Sequence, residues 1–422
     1  MTTSNILQSI HRISQKPFWY RNSTLLILWL LMVVISVALH MHHFNNFLIY
    51  KYSFWHALEQ KDLFLHYPEE YGDLHHYGPI FSMIIAPFAV IPSIWVGVFL
   101  WHLALALFLW WAIKNSSLSR PLQVFVIWFT AHELLNALGM SQFNVATAAM
   151  ILLTFGAVYR GQNGWAAFWI ALGTLVKVYG IVGSVFFLFS KDKPKFVLWT
   201  VFWMVFLFVL PMPFFGASYV LDQYVSWACS ISDKGQENLL SDFQNISLLG
   251  MVRKIGYACS AGLPAYYAVF ENAGKNPDVT NWWWSTWNDL WLIVPALLYS
   301  ALPWLRFKQY RSHSFQLMCL ALLLIFVNIF STGAENSSYI ISMLGVAIWY
   351  VAVPWQRSRL DLCLLVFCFI LTSLSPTDLF PPYIRTYWIR AFALKSLPVV
   401  FIWLKLVWEM NTKDYMVKKM SM

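Results

Sequence analysis

Apolar runs recur along this chain with too little charge between them for a fold that must live in water. They cover 25–39, 94–113, 124–138, 145–158, 196–215, 291–305, 317–330, 340–353, 362–374 and 392–408. A bilayer core about 30 Å thick takes roughly 20 mostly apolar residues per helix, fewer where a segment is broken or re-entrant. Charged residues make up only 11% of the 422-residue sequence and hydrophobic ones 59%, whereas about a quarter of an ordinary globular chain is charged. Too few charges remain to cover so much apolar surface in water. The expected fold is an all-α polytopic membrane protein, one integral membrane domain over 1–422.

Two stretches break the pattern. Residues 79–91, bounded by Pro79 and Pro92, are too short to cross and read as a re-entrant or interfacial helix. Residues 165–189 are apolar but interrupted by Lys177 and Gly180, with Arg160 before them and Lys191, Lys193 and Lys195 after. That pattern reads as a hairpin of two short spans. A broken helix with an ionisable residue is tolerated only where protein or a water-filled cavity surrounds it. Counting the hairpin as two gives about twelve crossings, with both termini on one side.

Charge tests this topology. The side with the termini gathers 17 of the 28 Lys and Arg and carries +13. The other carries −6, and Lys177 and Lys405 within spans complete the net +9. The positive-inside rule makes the first side cytoplasmic, as expected for a multi-pass protein of the cell membrane. The basic charge is therefore topological, and no nucleic-acid partner follows from it. The first span reads as an uncleaved anchor, with a signal peptide as the alternative. Cytoplasmic loops are short and lack G-x-x-x-x-G-K-[ST] and G-x-G-x-x-G, which disfavours an ATP-driven pump. Cys229 and Cys259 share the large outer loop, where a disulfide between them is open.

The chemistry-bearing residues fall on the outer side. The first outer segment, 41–92, combines a candidate interfacial helix at 47–58, a carboxylate-rich turn and the re-entrant stretch. With His40 just before it, it gathers seven of the eleven His together with Glu59, Asp62, Glu69, Glu70 and Asp73. Carboxylates where the chain dips back into the bilayer would be partly desolvated, which suits base chemistry; a solvated acidic loop is the plainer reading. The His cluster (His40, His42, His43; His75, His76) matches no standard metal spacing. No cofactor is expected, with a divalent metal as the alternative. The second outer segment, 216–289, holds Asn245, then Arg253 and Lys254 as candidate phosphate contacts, and Trp282, Trp283, Trp284 and Trp287. Such tryptophans form an interfacial belt or a stacking platform for a sugar. Short outer turns add Gln142, Asn144 and Glu335.

In order along the chain, these elements resemble glycosyltransferase family 87, membrane enzymes that use polyprenyl-phosphate sugars. The residues that carry the resemblance are Asn46-Phe47-Leu48-Ile49-Tyr50, Lys61-Asp62-Leu63-Phe64, Tyr77-Gly78-Pro79, Ser141-Gln142-Phe143-Asn144, Gly173-Thr174-Leu175-Val176-Lys177 and Asn245-Ile246-Ser247-Leu248-Leu249-Gly250, with Arg253 beyond. The resemblance implies a GT-C-type bundle of about 10–12 transmembrane helices with interfacial and re-entrant helices outside. It also implies an inverting, mannosyltransferase-like transfer of a hexose from a polyprenyl-phosphate donor to a glycolipid or glycan acceptor. One departure matters. The family's first-loop acid falls on Asn46, which cannot act as a base. That leaves Asp73 first, then Glu70 and Asp62, as catalytic candidates. Asn45, Asn46, His75, His76, Tyr77, Gln142, Asn144, Lys177, Asn245, Arg253 and Glu335 are the candidate substrate contacts. A secondary transporter or lipid flippase, or a non-catalytic glycan-binding membrane protein, are the rival readings.

Overall fold

The computed structural model describes residues 16–39, 44–238, 241, 243–271 and 286–416. Among them every regular element is helical. Four helices among the described residues are long and apolar enough to cross a membrane: α1 (Asn22–Leu39), α4 (Ile94–Asn115), α5 (Arg120–Gly139) and the stretch Lys193–Phe215, which contains α8 (Lys193–Val209). A fifth candidate is the pair Pro382–Arg390 and Leu394–Thr412, bent by 78° and ending in α16 (Leu397–Thr412). Shorter apolar helices fill the bundle between them, among them α6 (Asn144–Tyr159), α7 (Asn163–Val176), α13 (His313–Ile329) and α14 (Tyr339–Val351). The chain is a polytopic helical membrane protein.

Position in the bundle follows from composition around each helix. In α6 every residue from Asn144 to Val158 is buried, as a helix apolar on all sides and rich in Ala must be to find partners. It packs against α4, α7 and α14. By contrast α8 buries only Phe196 and Leu207; its outward apolar face suits lipid.

The interrupted stretch is a hairpin. The helix α7 ends at Val176, Lys177 takes an extended conformation (φ −147°, ψ 116°), and a 3₁₀ helix, Val178–Phe189, returns along α7. Fourteen α-helical residues rise about 21 Å, less than the bilayer core of about 30 Å, so Lys177 sits at the tip of a segment too short to cross. Glycines let the two limbs touch: a Cβ on Gly180 would lie 2.3 Å from the carbonyl carbon of Gly173.

The first outer segment contains α2 (Asn45–Leu58), a turn region and α3 (Phe81–Ala89). Helices thus form at both places where the sequence predicts them, and they pack on each other. Against this segment lies α9 (Ala217–Glu237), held by Tyr219 Oη donating to the Lys61 carbonyl (2.6 Å), Gln223 Oε1 accepting from the Leu63 amide (2.8 Å) and Trp227 Nε1 donating to the His76 carbonyl (3.0 Å). Cys229 and Cys259 are both free thiols.

Candidate functional site

A cavity of about 760 Å³ opens where α2, the turn 72–77, the hairpin tip, α9 and the connection 331–337 converge. Its floor is one hydrogen-bonded chain of polar side chains. Tyr77 Oη donates to Gln142 Oε1 (2.8 Å) and lies 3.0 Å from Tyr50 Oη; Gln142 Nε2 donates to Glu335 Oε2 (3.1 Å). Ser337 Oγ donates to the same carboxylate oxygen (3.4 Å) and accepts from Asn144 Nδ2 (3.1 Å), while Asn144 Oδ1 accepts from Lys177 Nζ (2.7 Å). Residues from four separate connections therefore hold Glu335 and Lys177 in one network. The Lys177 ammonium also lies over the rings of Tyr77 (5.7 Å) and Tyr179 (5.0 Å), a contact that favours a desolvated cation.

The local backbone explains why Glu335 is so placed. It caps the short turn Asn336–Ser338, where the Ser338 hydroxyl accepts from the Glu335 amide (3.0 Å). The Tyr77-Gly78-Pro79 element passes directly over the hairpin tip: the Gly78 amide donates to the Val176 carbonyl (3.1 Å), and a Cβ at Gly78 would lie 1.9 Å from the Leu175 oxygen. Only glycine permits that approach.

Charge in the cavity comes from Asp73, Glu335, Lys177 and Lys234. Burial lifts the Glu335 carboxyl above the ordinary carboxylate range, opposed by Lys177 and Lys234 and reinforced by Asp73. Asp73 lines the wall but is exposed, with Oδ1 accepting from the Leu74 amide (2.8 Å). The desolvation expected of the carboxylate-rich turn thus falls on Glu335 in the distant connection.

Of the sequence candidates, Asn46, Asp73, His76, Tyr77, Gln142, Lys177 and Glu335 line the cavity, with Asn144 beneath it. Asn45 secures its rim, its side-chain oxygen accepting from the Gly72 amide (2.7 Å). Others stand away. Asp62 accepts from the Phe64 amide (2.8 Å) and Ser226 Oγ (3.3 Å), clamping the turn to α9. Glu70 lies 2.7 Å from His56 Nε2, and burial lowers the His56 pKa despite that neighbour. Asn245 is fully buried at the start of α10 (Leu248–Ala261), and Arg253 pairs with Asp289 behind the cavity wall (2.5 Å). His75 is packed against Phe64, Tyr77 and Phe81, and burial pushes its pKa down to about 3. His76 faces the cavity with Nδ1 2.8 Å from Ser230 Oγ; burial, then Lys234, bring it down to about 2. Burial thus favours the neutral form of both imidazoles.

Lys234 is the residue that sequence reasoning missed. Its signal is helical spacing: Trp227, Ile231, Lys234 and Asn238 recur along α9 and its end at intervals of three to four, and all four line the cavity. Among the described residues no three His, Cys, Asp or Glu side chains come together as a metal would need. His40, His42 and His43, and the run Trp282–Trp284, lie outside the described residues.

The cavity thus joins carboxylates to cations over a shelf of tyrosines, the equipment for moving a polar group between two bound molecules. No curated protein matches the chain. The family model of glycosyltransferase family 87 matches residues 75–332, a stretch that runs from the turn bearing His76 and Tyr77, through Gln142, Asn144, the hairpin tip and α9, to the connection before Glu335. The chain belongs to glycosyltransferase family 87, and it is a membrane glycosyltransferase with a sugar donor and an acceptor.

Proposed function

We propose that this enzyme transfers a hexose, mannose being the sugar the family resemblance points to, from a polyprenyl-phosphate donor to a glycolipid or glycan acceptor, with inversion, on the outer face of the cell membrane. The observation that carries the reading is the single cavity in which Glu335 and Asp73 face Lys177 and Lys234. The acceptor hydroxyl oxygen attacks the anomeric carbon as its proton passes to the Glu335 carboxylate. The bond to the phosphate oxygen breaks, and polyprenyl phosphate leaves as an anion stabilised by the two ammonium groups. Glu335 is the better base because burial raises its pKa toward the working pH. Asp73, at the rim, orients hydroxyl groups. No residue in this scheme needs a cofactor.

Donor turnover by the purified protein in lipid nanodiscs, with membrane glycolipids as acceptor, tests it. Glu335→Gln should lower kcat at least about 100-fold, the lower range for a lost general base, while Asp73→Asn mainly raises KM. In the native enzyme the ionised base disappears as pH falls through the raised Glu335 pKa. The acid limb of kcat should therefore lie above the ordinary Glu value of about 4.3 and vanish in the Gln variant. Full transfer by both variants would remove the base from this cavity; loss in Asp73→Asn with retention in Glu335→Gln would exchange the two roles.

A further inference from the structure

Beside the first cavity lies a second, of about 240 Å³, and the two share Phe243 and Asn336 as a common wall. Its charged lining is all of one sign: Arg385, Arg390 and Lys395. Acids outside the lining also meet these cations. Glu133 pairs with Lys395 at 2.9 Å, and Asp378, almost fully exposed, pairs with Arg385 at 2.6 Å. The Arg390 guanidinium lies over the shared Phe243 ring at 4.7 Å and over Phe270 at 5.4 Å. Ser375 also lines the cavity; it is 1% exposed, and its hydroxyl has no hydrogen-bond partner among the described residues. A buried hydroxyl left unpaired costs free energy unless a ligand or water satisfies it. Apart from Phe243, Ile246 and Asn336, the lining comes from residues 375–395, and apart from the first two of these it lies beyond the matched family stretch.

We infer that this second cavity binds an oxyanion, a phosphate or carboxylate, carried by the acceptor. The inference rests on the proposed reading of the first cavity, where Lys177 and Lys234 take the donor's one phosphate. A second anion-binding pocket then belongs to the other substrate. Planar guanidinium groups suit such an oxyanion because they donate two parallel hydrogen bonds to it. With the anion held there, the acceptor needs to pass only the Phe243–Asn336 wall to bring a hydroxyl beside Glu335. The enzyme's acceptors are therefore anionic, with the charge one cavity-width from the hydroxyl that is glycosylated.

Calorimetric titration of the full-length protein in neutral detergent tests this, with n-octyl phosphate as a lipid-like anion, inorganic phosphate as the free anion and n-octyl glucoside as the neutral control. Octyl phosphate should bind twice per chain, and the glucoside should occupy neither anion site. Arg385→Gln and Arg390→Gln should each weaken one event at least about tenfold, as expected for a lost charge-assisted hydrogen bond, and Arg385→Lys should recover part of it. Lys177→Met with Lys234→Met should remove the other event. Arg385 is partly exposed, so its variants should keep the native melting temperature and remain informative if Arg390→Gln does not fold. Two intact events in the Arg385 variant would overturn the second site. Inorganic phosphate binding there as tightly as octyl phosphate would overturn its assignment to an acceptor. Two intact events in the Lys177/Lys234 variant would instead overturn the donor reading alone.

Discussion

Asn46 stands where the family resemblance implies an acid, and its contacts give the physical reason. Its side-chain amide donates to the Met140 carbonyl at 2.8 Å, tying the first turn of α2 to the end of α5. An aspartate there would face that carbonyl with a second acceptor and lose the bond. The position is a structural tie in this chain, and the proposed mechanism assigns the carboxylate chemistry to Glu335 in the same cavity. Asn46→Asp should therefore lower stability by about 1 kcal/mol, the worth of one net hydrogen bond, and should not raise transfer above the native rate. Thermal melting together with donor turnover measures both. A gain in rate would mean that position 46 still faces the reacting centre and that Glu335 is not the base.

At the scale of elements, the hairpin that carries Lys177 depends on two glycines closing its limbs. A methyl group at Gly180 would sit 2.4 Å from the Thr174 amide nitrogen, whereas one at Gly164, near the start of α7, meets nothing nearer than 3.5 Å. Gly180→Ala should force the limbs apart at a cost of roughly 1–3 kcal/mol or more and draw Lys177 away from Asn144. Gly164→Ala should be close to neutral. Melting temperature and donor KM report the two effects, and equal behaviour of the variants would mean that the limbs do not close as described. The hairpin was legible in the sequence because an ionisable residue inside an apolar run is a costly exception with few structural solutions. Asp62, Glu70 and Asp73 were not separable in the same way. They share one polar turn with no period to say which faces inward, and only the packing of α9 directs Asp62 to Ser226 and leaves Asp73 at the cavity. Lys234 had a helical face, but a face acquires meaning only with the partner it covers. Glu335 was recognisable as a polar residue near a span end, while its partial burial arises from segments distant in sequence.

For the whole molecule, the strongest sequence argument was the sorting of charge, and the hydrogen bonds between connections obey it. Connections assigned to the basic side meet one another: Lys114 reaches Asn22 (2.9 Å), Arg160 reaches the Asn115 carbonyl (2.6 Å) and Arg306 the Met410 carbonyl (2.6 Å). Inside that end Arg357 pairs with Glu409 at 2.9 Å and Lys405 with Asp361 at 3.2 Å. The connections that build the cavity, at 72–77, 140–142 and 331–337, all belong to the other side. Among the described residues both sets come together without a crossed pairing, as a bundle with a consistent up-and-down order requires. If the basic end is cytoplasmic, transfer happens outside, where no nucleotide sugar is supplied and a lipid-linked donor is the chemical alternative. On a background without the five native cysteines, Glu69→Cys, exposed in the first outer segment, should react with a membrane-impermeant maleimide on intact cells. Lys308→Cys, exposed at the basic end, should react only after permeabilisation. The opposite pattern would turn the cavity toward the cytoplasm. The physical case for a lipid-linked donor would then lose its footing, even though Glu335, Lys177 and their network stayed where they are.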